Sequence, residues 1–336
     1  MKMLVVGGAG YIGSHILKLL EASQYEFVTL DNLSSGYRDA VQYGRFIQGD
    51  LEDIDFLHRL FAEERFTGVF HFASNIQVGE SVLKPSKYYR NNVVCTLNLL
   101  DAMLAAGVNK LVFSSSAAVY GTPNQIPIDE DHPLQPLSPY GKSKLMVESI
   151  LEDFYKAYDL NSVSLRYFNA AGASSDGNLG ERHDPETHLI PLLLQAASGR
   201  RESITIYGKD YATTDGTCIR DYIHVEDLCT AHLLAMEHLL KAKGCDVFNL
   251  GSGKGFSVQQ VIHTAKEVTQ SSIYVKNQPR REGDPSILVA NANKAQRTLG
   301  WKPKKTQLTD IIIDAWHWEK KMCDSHTPLG EKHKHE

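Results

Sequence analysis

The sequence predicts an α/β protein built on a doubly wound parallel sheet, with a smaller α/β domain towards its C-terminus. Two observations predict this fold class. Short apolar runs rich in β-formers alternate with amphipathic stretches through the first half of the chain, and a glycine-rich turn follows the first of these runs. Alternation of strands and helices implies parallel strands that are covered by helices on both faces.

Taken in chain order, the elements divide the sequence into two units. The strand-like runs of the first half are residues 2–6, 26–30, 46–48, 68–72, 110–114 and 162–166, and residues 11–21 form the first predicted helix. After a Gly/Ser/Asp-rich segment at 170–186 come a helix at 189–198, a strand at 203–207, a helix at 225–240 and a strand at 247–250. We predict one domain at 1–170 to which 225–250 return, a second at 171–224 and 251–325, and a frayed tail at 326–336.

Composition and charge exclude several classes of protein. Hydrophobic residues make up 42% of the chain, charged residues 22%, and the formal net charge is -5, which argues against disorder and against nucleic-acid binding. Glycines interrupt the apolar N-terminal run, so we expect no signal peptide or membrane span and a cytoplasmic protein. The five cysteines are widely spaced without a CxxC pair, which favours reduced thiols over a disulfide framework or a zinc site.

Histidines give no metal-binding pattern at this stage. The 14 histidines form no HExxH motif, and no tight cluster with acidic residues is apparent. We therefore expect no metal site, and we expect His333 and His335 in the charged tail to be solvated.

The glycine-rich turn predicts a dinucleotide site. Gly7 and Gly8 follow the first strand, and Gly8, Gly10 and Gly13 form a GxGxxG motif that leads into the first helix. Such glycines let backbone N–H groups approach a pyrophosphate, and the helix N-terminus adds partial positive charge. Asp31 ends the second strand, where a carboxylate binds ribose hydroxyls and repels a 2′-phosphate. The turn therefore predicts a Rossmann-type NAD site; the alternative is a structural glycine turn with a surface aspartate.

A tyrosine, a lysine and a serine predict hydride-transfer chemistry. Tyr140 and Lys144 share one face of a predicted helix, and Ser116 follows an apolar strand at the sheet edge where open α/β sheets bind ligands. A phenol has a pKa near 10, so we expect the nearby lysine to lower it and make Tyr140 a base. Beside a nicotinamide cofactor, these residues supply a base, its tuning cation and a hydrogen-bonding hydroxyl. The alternative is a helix-surface pair.

Many motifs in the same order give the sequence a specific resemblance. Over about residues 1–320 it resembles the UDP-glucose 4-epimerases (UDP-galactose 4-epimerases) of the extended short-chain dehydrogenase/reductase class. The stretches that carry the resemblance are GGAGYIGSH, LDNLS, GDL, HFA, VGES, YYRNNV, FSSSAAVYG, SPYGKSKLMVE, LRYFNAAGA, GTCIRDYIHV, FNLGSG, RREGDP and WHW.

The resemblance implies a role for individual residues. It implies NAD contacts at Gly7, Gly10, Tyr11, Ile12, Gly13, Asp31, Asn32, Asp50, Leu51, Phe72, Ala73, Ser74, Asn91, Lys144 and Phe168. It implies that Ser116 and Tyr140 face the hexose, and that the UDP-sugar is held by Asn169, Leu189, Tyr207, Arg220, Arg281 and Asp284, with Leu288 beside the sugar. Guanidinium groups suit a diphosphate and an aromatic ring suits uracil, although each arginine could instead form a surface ion pair.

The sequence departs from some family members at two places. The segment Ala73-Ser-Asn-Ile76 lacks a lysine that some members place near the cofactor phosphates, which puts the strength of NAD retention in doubt. His188 stands where some members use an asparagine on the sugar nucleotide, so we assign it no role.

The implied reaction interconverts UDP-glucose and UDP-galactose through a 4-keto sugar, with NAD as the tightly bound cofactor. A nucleotide-sugar 4,6-dehydratase, a UDP-glucuronate decarboxylase and a non-catalytic cofactor sensor are the alternatives. A dehydratase would carry an Asp-Glu pair beside the serine, and residues 114–120 contain no acid. The family also implies a homodimer, for which 93–104 and 145–154 could supply the interface or could equally be core.

Leu288 bears on substrate breadth. Family members restricted to glucose and galactose carry a tyrosine four residues after the aspartate of this motif, and members that take N-acetylated sugars carry a smaller residue. Leu288 therefore predicts use of UDP-N-acetylglucosamine as well; the alternative is that it only packs against a neighbouring loop.

Overall fold

A computed structural model of the chain describes residues 1–281 and 284–326. The strands, in chain order, are β1 (Lys2–Val6), β2 (Glu26–Asp31), β3 (Arg45–Gln48), β4 (Gly68–His71), β5 (Lys110–Ser116), β6 (Asn161–Tyr167), β7 (Asn169–Ala171), β8 (Ile204–Tyr207), β9 (Ile219–His224), β10 (Cys245–Leu250), β11 (Gly255–Ser257), β12 (Val275–Gln278) and β13 (Ile287–Leu288). The α-helices are α1 (Tyr11–Glu21), α2 (Ile54–Glu64), α3 (Val78–Leu83), α4 (Pro85–Tyr89), α5 (Cys95–Ala105), α6 (Pro139–Tyr158), α7 (Leu189–Ala197), α8 (Val225–Lys241), α9 (Val258–Thr269), α10 (Asn293–Leu299) and α11 (Leu308–His326).

The six predicted strands of the first half, joined by β10 from the second half, form one parallel sheet of seven strands. Its order is β10-β6-β5-β4-β1-β2-β3, and every neighbouring pair is parallel. The doubly wound α/β fold predicted from the sequence is thereby confirmed. The run predicted at 68–72 ends one residue early, because Phe72 N and Ala73 N both turn to donate to Val6 O, at 2.8 and 3.2 Å.

Two apolar layers cover this sheet. On one face, α1 and α8 bury side chains such as Leu17 and Leu228 against the sheet residue Phe70. On the other face, α2, α5 and α6 bury side chains such as Leu57 and Leu99. Burial on both faces explains why these strands read as continuous apolar runs.

The second half of the chain builds smaller elements around its own core. Strands β11, β9 and β13 form one sheet, β7 pairs with β9, and β12 pairs with β8. Helices α7, α9 and α11 pack on one another, with Ile190, Val261 and Ile311 in their shared core. Strand β10 lies in the large sheet beside β6. The boundaries that we predict between the two domains stay a prediction, and 327–336, most of the predicted tail, lie outside the described residues.

Within residues 1–281 and 284–326, no helix is both long enough and apolar enough to cross a membrane.

Candidate active site

The backbone is closely packed at the glycine turn between β1 and α1. Gly7 has a φ of +82°, and a Cβ atom at this position would lie 2.5 Å from Ala73 N. A Cβ on Gly13 would overlap the carbonyl oxygen of Gly7. No side chain caps the N-terminus of α1 at Gly10, so N–H groups of Tyr11 and Ile12 have no side-chain acceptor at that cap. The turn therefore offers backbone donors and a helix N-terminus, the features that bind a pyrophosphate.

Asp31 lies at the carboxyl end of β2, beside this turn. Its carboxylate accepts the N–H groups of Ala9 and Leu33, at 2.9 and 2.8 Å. Burial raises the pKa of Asp31 and these two hydrogen bonds lower it, with burial prevailing. Asn32 Nδ2 donates to Asp50 Oδ2 at 2.8 Å. Asp31, Asn32 and Asp50, all assigned to NAD, therefore lie together at one edge of the sheet. Leu51, the next assigned residue, is held by a 2.9 Å hydrogen bond from Asn98 Nδ2 to its carbonyl oxygen.

The loop after β4 carries Ser74 and is fixed by an asparagine that sequence reasoning missed. Asn92 is buried in a π-helical turn at Arg90–Val94, between α4 and α5. Its side chain accepts from Asn75 N at 2.8 Å and donates to Asn75 O and Ser143 Oγ, both at 3.0 Å. Asn91, which we assigned to NAD, donates to Asn92 Oδ1 at 2.9 Å. The sequence signal was the doubled asparagine, of which only the first was singled out.

The structure brings together Tyr140, Lys144 and Ser116. Ser116 ends β5 at the carboxyl edge of the sheet, and Tyr140 lies in the first turn of α6, whose N-terminus is capped by Ser138. The Ser116 side chain lies close enough to the Tyr140 hydroxyl to lower its pKa. Lys144 Nζ donates to Ser114 O at 2.8 Å and lies 5.9 Å from the centre of the Tyr140 ring.

The electrostatics of this group differ from the expectation. Burial raises the pKa of Tyr140, and only the hydrogen bond from Ser116 opposes it. Burial lowers the pKa of Lys144 to about 7, against an opposing effect of Glu148. We expected Lys144 to lower the pKa of Tyr140. The pKa of Tyr140 is instead raised, because burial disfavours the phenolate more than the Ser116 side chain stabilises it.

Glu148 anchors the helix that carries Tyr140 and Lys144. It follows Lys144 by one further helical turn and forms a buried ion pair with Arg166 of β6, with an Nη2–Oε2 distance of 2.6 Å. Ser115 of β5 also donates to this carboxylate. Arg166 in turn donates to the Tyr120 hydroxyl at 2.9 Å. Sequence reasoning missed Glu148, although its four-residue spacing from Lys144 was visible.

The residues assigned to the sugar nucleotide lie on β7, α7, β8, β9, β13 and the segment before β13. Arg220 of β9 forms an ion pair with Asp284, and its side chain is 12% exposed. The Arg281 guanidinium lies 4.1 Å from the centre of the Tyr207 ring, so it covers one face of a ring that we expected to bind uracil. Asn169 begins β7 and Leu189 begins α7.

Leu288 lies between a residue assigned to the sugar nucleotide and the residues that follow Ser116. It is opposite Arg220 in the parallel pairing of β13 with β9. Together with Phe168, it packs against a small apolar cluster that contains Ala117 and Tyr120, just after Ser116. The side chain therefore both packs and borders the Ser116 region, and the two interpretations of Leu288 remain open.

A cluster of four possible metal ligands was also missed by sequence reasoning. Glu181, His183, Glu186 and His188 place one nitrogen or oxygen atom each within 4.8 Å of the others. Burial lowers the pKa of His183, but the adjoining carboxylates outweigh it and raise that pKa to about 9. Burial also lowers the pKa of His188, but Glu181 and Glu186 outweigh it and raise that pKa to about 10. The signal in the sequence was the spacing ExHxxExH, which differs from the HExxH motif.

Comparison with known proteins gives one consistent family. The NAD dependent epimerase/dehydratase family matches residues 3–251. The UDP-glucose 4-epimerase of Halalkalibacterium halodurans is 51% identical over 95% of this chain and 96% of its own length.

Solved structures agree with the sequence comparison. The UDP-glucose 4-epimerase of Brucella ovis in complex with NAD is 48% identical, with a TM-score of 0.92 over 95% of this chain and 98% of its own. The UDP-Glc/GlcNAc 4-epimerase of Campylobacter jejuni is 44% identical, with a TM-score of 0.84 over 95% of this chain and 99% of its own.

Proposed function

The chain belongs to the NAD dependent epimerase/dehydratase family, and from this premise we propose that it is a UDP-glucose 4-epimerase. The reaction is the interconversion of UDP-glucose and UDP-galactose with NAD as cofactor. The observation that carries the proposal is the meeting of Tyr140, Ser116 and Lys144 at the carboxyl edge of the sheet that also carries the glycine turn.

The cofactor residues fit NAD on two structural grounds. The turn at Gly7 and Gly13 leaves room for backbone only, so a phosphate can approach the N–H groups at the start of α1. The Asp31 carboxylate stands beside this turn, where it favours a free ribose 2′-hydroxyl over a 2′-phosphate. When bound, NAD would supply the acceptor and donor of the hydride at the sugar C4.

Residues of the chain carry out the proton transfer and hold the substrate. Tyr140 takes the proton of the sugar 4-hydroxyl and later returns it, while Ser116 hydrogen-bonds to the same phenolic oxygen and orients it. Lys144 places its amino group 5.9 Å from the centre of the Tyr140 ring, and Glu148 holds the helix that carries both residues. Arg220 and Arg281 hold the diphosphate, so that the 4-keto sugar can turn over without leaving the site.

The structure also bears on the dehydratase alternative. A dehydratase needs free carboxylates beside the serine triplet to move protons at C5 and C6. The carboxylate that contacts Ser115 is Glu148, and Arg166 engages both of its oxygens. A carboxylate held in this way is a structural anion, which favours the epimerase.

One coupled assay separates the candidate functions. UDP-galactose is supplied, and UDP-glucose formed is measured through a UDP-glucose dehydrogenase that reduces NAD. Steady formation of UDP-glucose supports the epimerase. A dehydratase or decarboxylase would consume its own sugar nucleotide without forming UDP-glucose, and a cofactor sensor would bind NAD without turnover; either result rejects the proposal.

We further propose that the enzyme acts in the cytoplasm as a homodimer. The two apolar stretches considered for the interface are mostly core, since Leu99, Met103 and Leu151 are buried. Val94 of the π-helical turn before α5 and Met146 of α6, however, are exposed, together with Val82 and Leu83 of α3. Sedimentation velocity of the purified chain tests the assembly, and a monomer at micromolar concentration contradicts it.

Substrate breadth forms the last part of the proposal. Leu288 is smaller than tyrosine and lies next to the region of Ser116, so it leaves space beside the sugar. A neighbour at 44% identity is titled a UDP-Glc/GlcNAc 4-epimerase. We propose that UDP-N-acetylglucosamine is also epimerised.

A further inference from the structure

We propose that Glu181, His183, Glu186 and His188 bind one divalent transition-metal ion, with zinc preferred, at a structural site distinct from the catalytic residues. All four lie in the loop that leads from β7 into α7. This inference replaces the expectation, drawn from the sequence, that the chain has no metal site.

The distances within the cluster are those of ligands around one small ion. His183 Nδ1 lies 3.3 Å from Glu181 Oε1 and 3.5 Å from Glu186 Oε2. His188 Nδ1 lies 2.7 Å from Glu181 Oε1 and 3.3 Å from Glu186 Oε1. Tetrahedral zinc with bonds of about 2.0–2.1 Å separates its ligand atoms by about 3.3–3.4 Å. Three of the four separations lie within a few tenths of an ångström of that value.

Hydrogen bonding does not account for the arrangement. The Nδ1 atoms of His183 and His188 are inaccessible to solvent, yet neither makes a hydrogen bond of acceptable geometry. A protonated imidazole would point its N–H at a carboxylate oxygen. The two nitrogen atoms and the two carboxylates converge on one another, with one possible ligand atom of each residue within 4.8 Å of the others, as the ligands of one ion do.

The two buried carboxylates of the cluster need a counter-charge. The side chains of Glu181 and Glu186 are only 6% and 4% exposed. Among the described residues, no lysine or arginine forms an ion pair with either carboxylate. Two carboxylates buried this deeply need a counter-charge, and a divalent ion bound by the neutral imidazoles would neutralise both at once. Two protonated histidines are the competing arrangement.

In a second cluster of possible metal ligands, a lysine of the chain supplies the positive charge. His224, Glu226 and Asp314 also place potential ligand atoms close together. There, Lys305 Nζ lies 3.0 Å from Glu226 Oε2 and contacts Asp314 as well. The ammonium group therefore occupies the position of the cation, and that cluster needs no metal ion.

The surroundings support a structural role for the metal. Trp318 of α11 donates its Nε1–H to Glu181 O at 3.1 Å, and the His183 ring meets the edge of Tyr11 at the start of α1. Glu186 Oε1 accepts the N–H groups of Thr187 and His188, at 2.8 and 2.9 Å. A cleft of about 460 Å³ borders the cluster and gives an ion access. An ion here would join both ends of segment 181–188 immediately before Leu189.

The first test is metal binding by the full chain without an affinity tag. Protein stripped with EDTA is titrated with zinc against a chromophoric chelator, and its unfolding midpoint is measured with and without zinc. We expect about one zinc per chain, a higher midpoint with zinc, and no such rise with Mg²⁺ or Ca²⁺, which imidazole ligands disfavour. Cobalt should give the visible absorption of a tetrahedral site. Failure of the unmutated protein to bind zinc at micromolar concentration overturns the proposal.

The second test locates the ion with matched variants. His183→Gln and Glu186→Gln should each weaken zinc binding by at least about 100-fold. His263→Gln is the control, because His263 forms an exposed contact with Glu267 at 3.2 Å that resembles half of the site. A double variant, His333→Gln with His335→Gln, removes the tail histidines as competing ligands. Zinc binding that survives the first two changes, or that disappears in the tail variant, assigns the ion elsewhere and contradicts the site.

Discussion

The Tyr140 phenol is buried, and the Ser116 side chain lies beside it. These two features set how readily the phenol loses its proton. Its neighbour Ser116 stabilises the phenolate, while burial opposes ionisation. Lys144 donates to a backbone carbonyl instead of to the phenol. The base is therefore not preformed by the chain alone, and its ionisation depends on what binds beside it.

Removal of the phenolic oxygen tests the base directly. Tyr140→Phe keeps the ring but removes the group that accepts the sugar proton, so turnover should fall by about 10²–10⁴-fold while UDP binding survives. The measurement is kcat in the coupled assay with UDP affinity by calorimetry. Tyr158→Phe serves as the control, since Tyr158 is 58% exposed at the end of the same helix. Near-normal turnover of Tyr140→Phe shows that another group is the base.

Asp31 is the residue that we propose to govern the choice of cofactor. Asp31→Ala should weaken the preference for NAD over NADP, because the carboxylate no longer repels the 2′-phosphate. Alanine also removes acceptors for Ala9 N and Leu33 N, so Asp31→Asn is measured beside it to separate loss of charge from loss of the turn. The ratio of the two cofactor affinities is the readout. Equal affinity of the unmutated chain for both cofactors contradicts this role.

We propose that Leu288 sets the space beside the sugar. Leu288→Tyr should lower activity on UDP-N-acetylglucosamine more than activity on UDP-galactose, because overpacking costs about 1–3 kcal/mol where the acetamide must fit. The ratio of kcat/KM for the two substrates is the measurement, with UDP-galactose as the internal control. If the unmutated enzyme leaves the N-acetylated substrate unchanged, Leu288 is only a packing residue.

At the scale of elements, α6 is the part that positions the reacting groups. Tyr140, Lys144 and Glu148 recur every four residues and so lie along one face. Glu148 ties this face to β6 through Arg166 and to β5 through Ser115. The buried ion pair thus fixes the helix against the two strands whose ends border the site.

Loss of the buried ion pair between Glu148 and Arg166 should destabilise the folded protein. Glu148→Gln leaves the Arg166 guanidinium buried without its counter-charge, and we expect the free energy of unfolding to fall by about 3–5 kcal/mol. The control is Glu152→Gln, one turn further along, where Glu152 forms an exposed pair with Lys156. Urea unfolding measures both variants. Equal midpoints for the two variants would mean that the buried pair does not hold the helix.

At the scale of the whole molecule, packing on both faces of the sheet buries histidines that stay neutral. Burial lowers the pKa of His15 and of His232 to about 4, and that of His71 to about 3. The unfolded chain binds protons on these residues near pH 6.5. Between pH 6.5 and 4, the unfolded state therefore holds more protons than the folded state.

Acid should accordingly destabilise the fold within that window. The contribution of each histidine is fully present above pH 6.5 and is lost as the pH falls towards 4, by about 1.4 kcal/mol per pH unit. His232→Phe should reduce this slope by about the share of one group, whereas the exposed His263→Phe should leave it unchanged. Urea unfolding across pH 4–7 provides the slopes. An unaltered slope in His232→Phe means that His232 is not a neutral buried group.

The sequence by itself determined the parallel sheet, and it predicted the cofactor turn and the reactive residues. Each of these depends on local information: apolar runs of strand length, glycines where only backbone fits, and a tyrosine and a lysine one helical turn apart. Only the tertiary structure decided which distant groups meet. Asn92 reaches Asn75 and Ser143, and Glu148 reaches Arg166, through contacts between separate elements. The convergence of Glu181 and His183 on Glu186 and His188 likewise depends on how one loop folds back on itself, which no periodicity in the sequence encodes. Burial also decided the charge states, because desolvation of Tyr140 and Lys144 is a property of the packed molecule and not of their spacing.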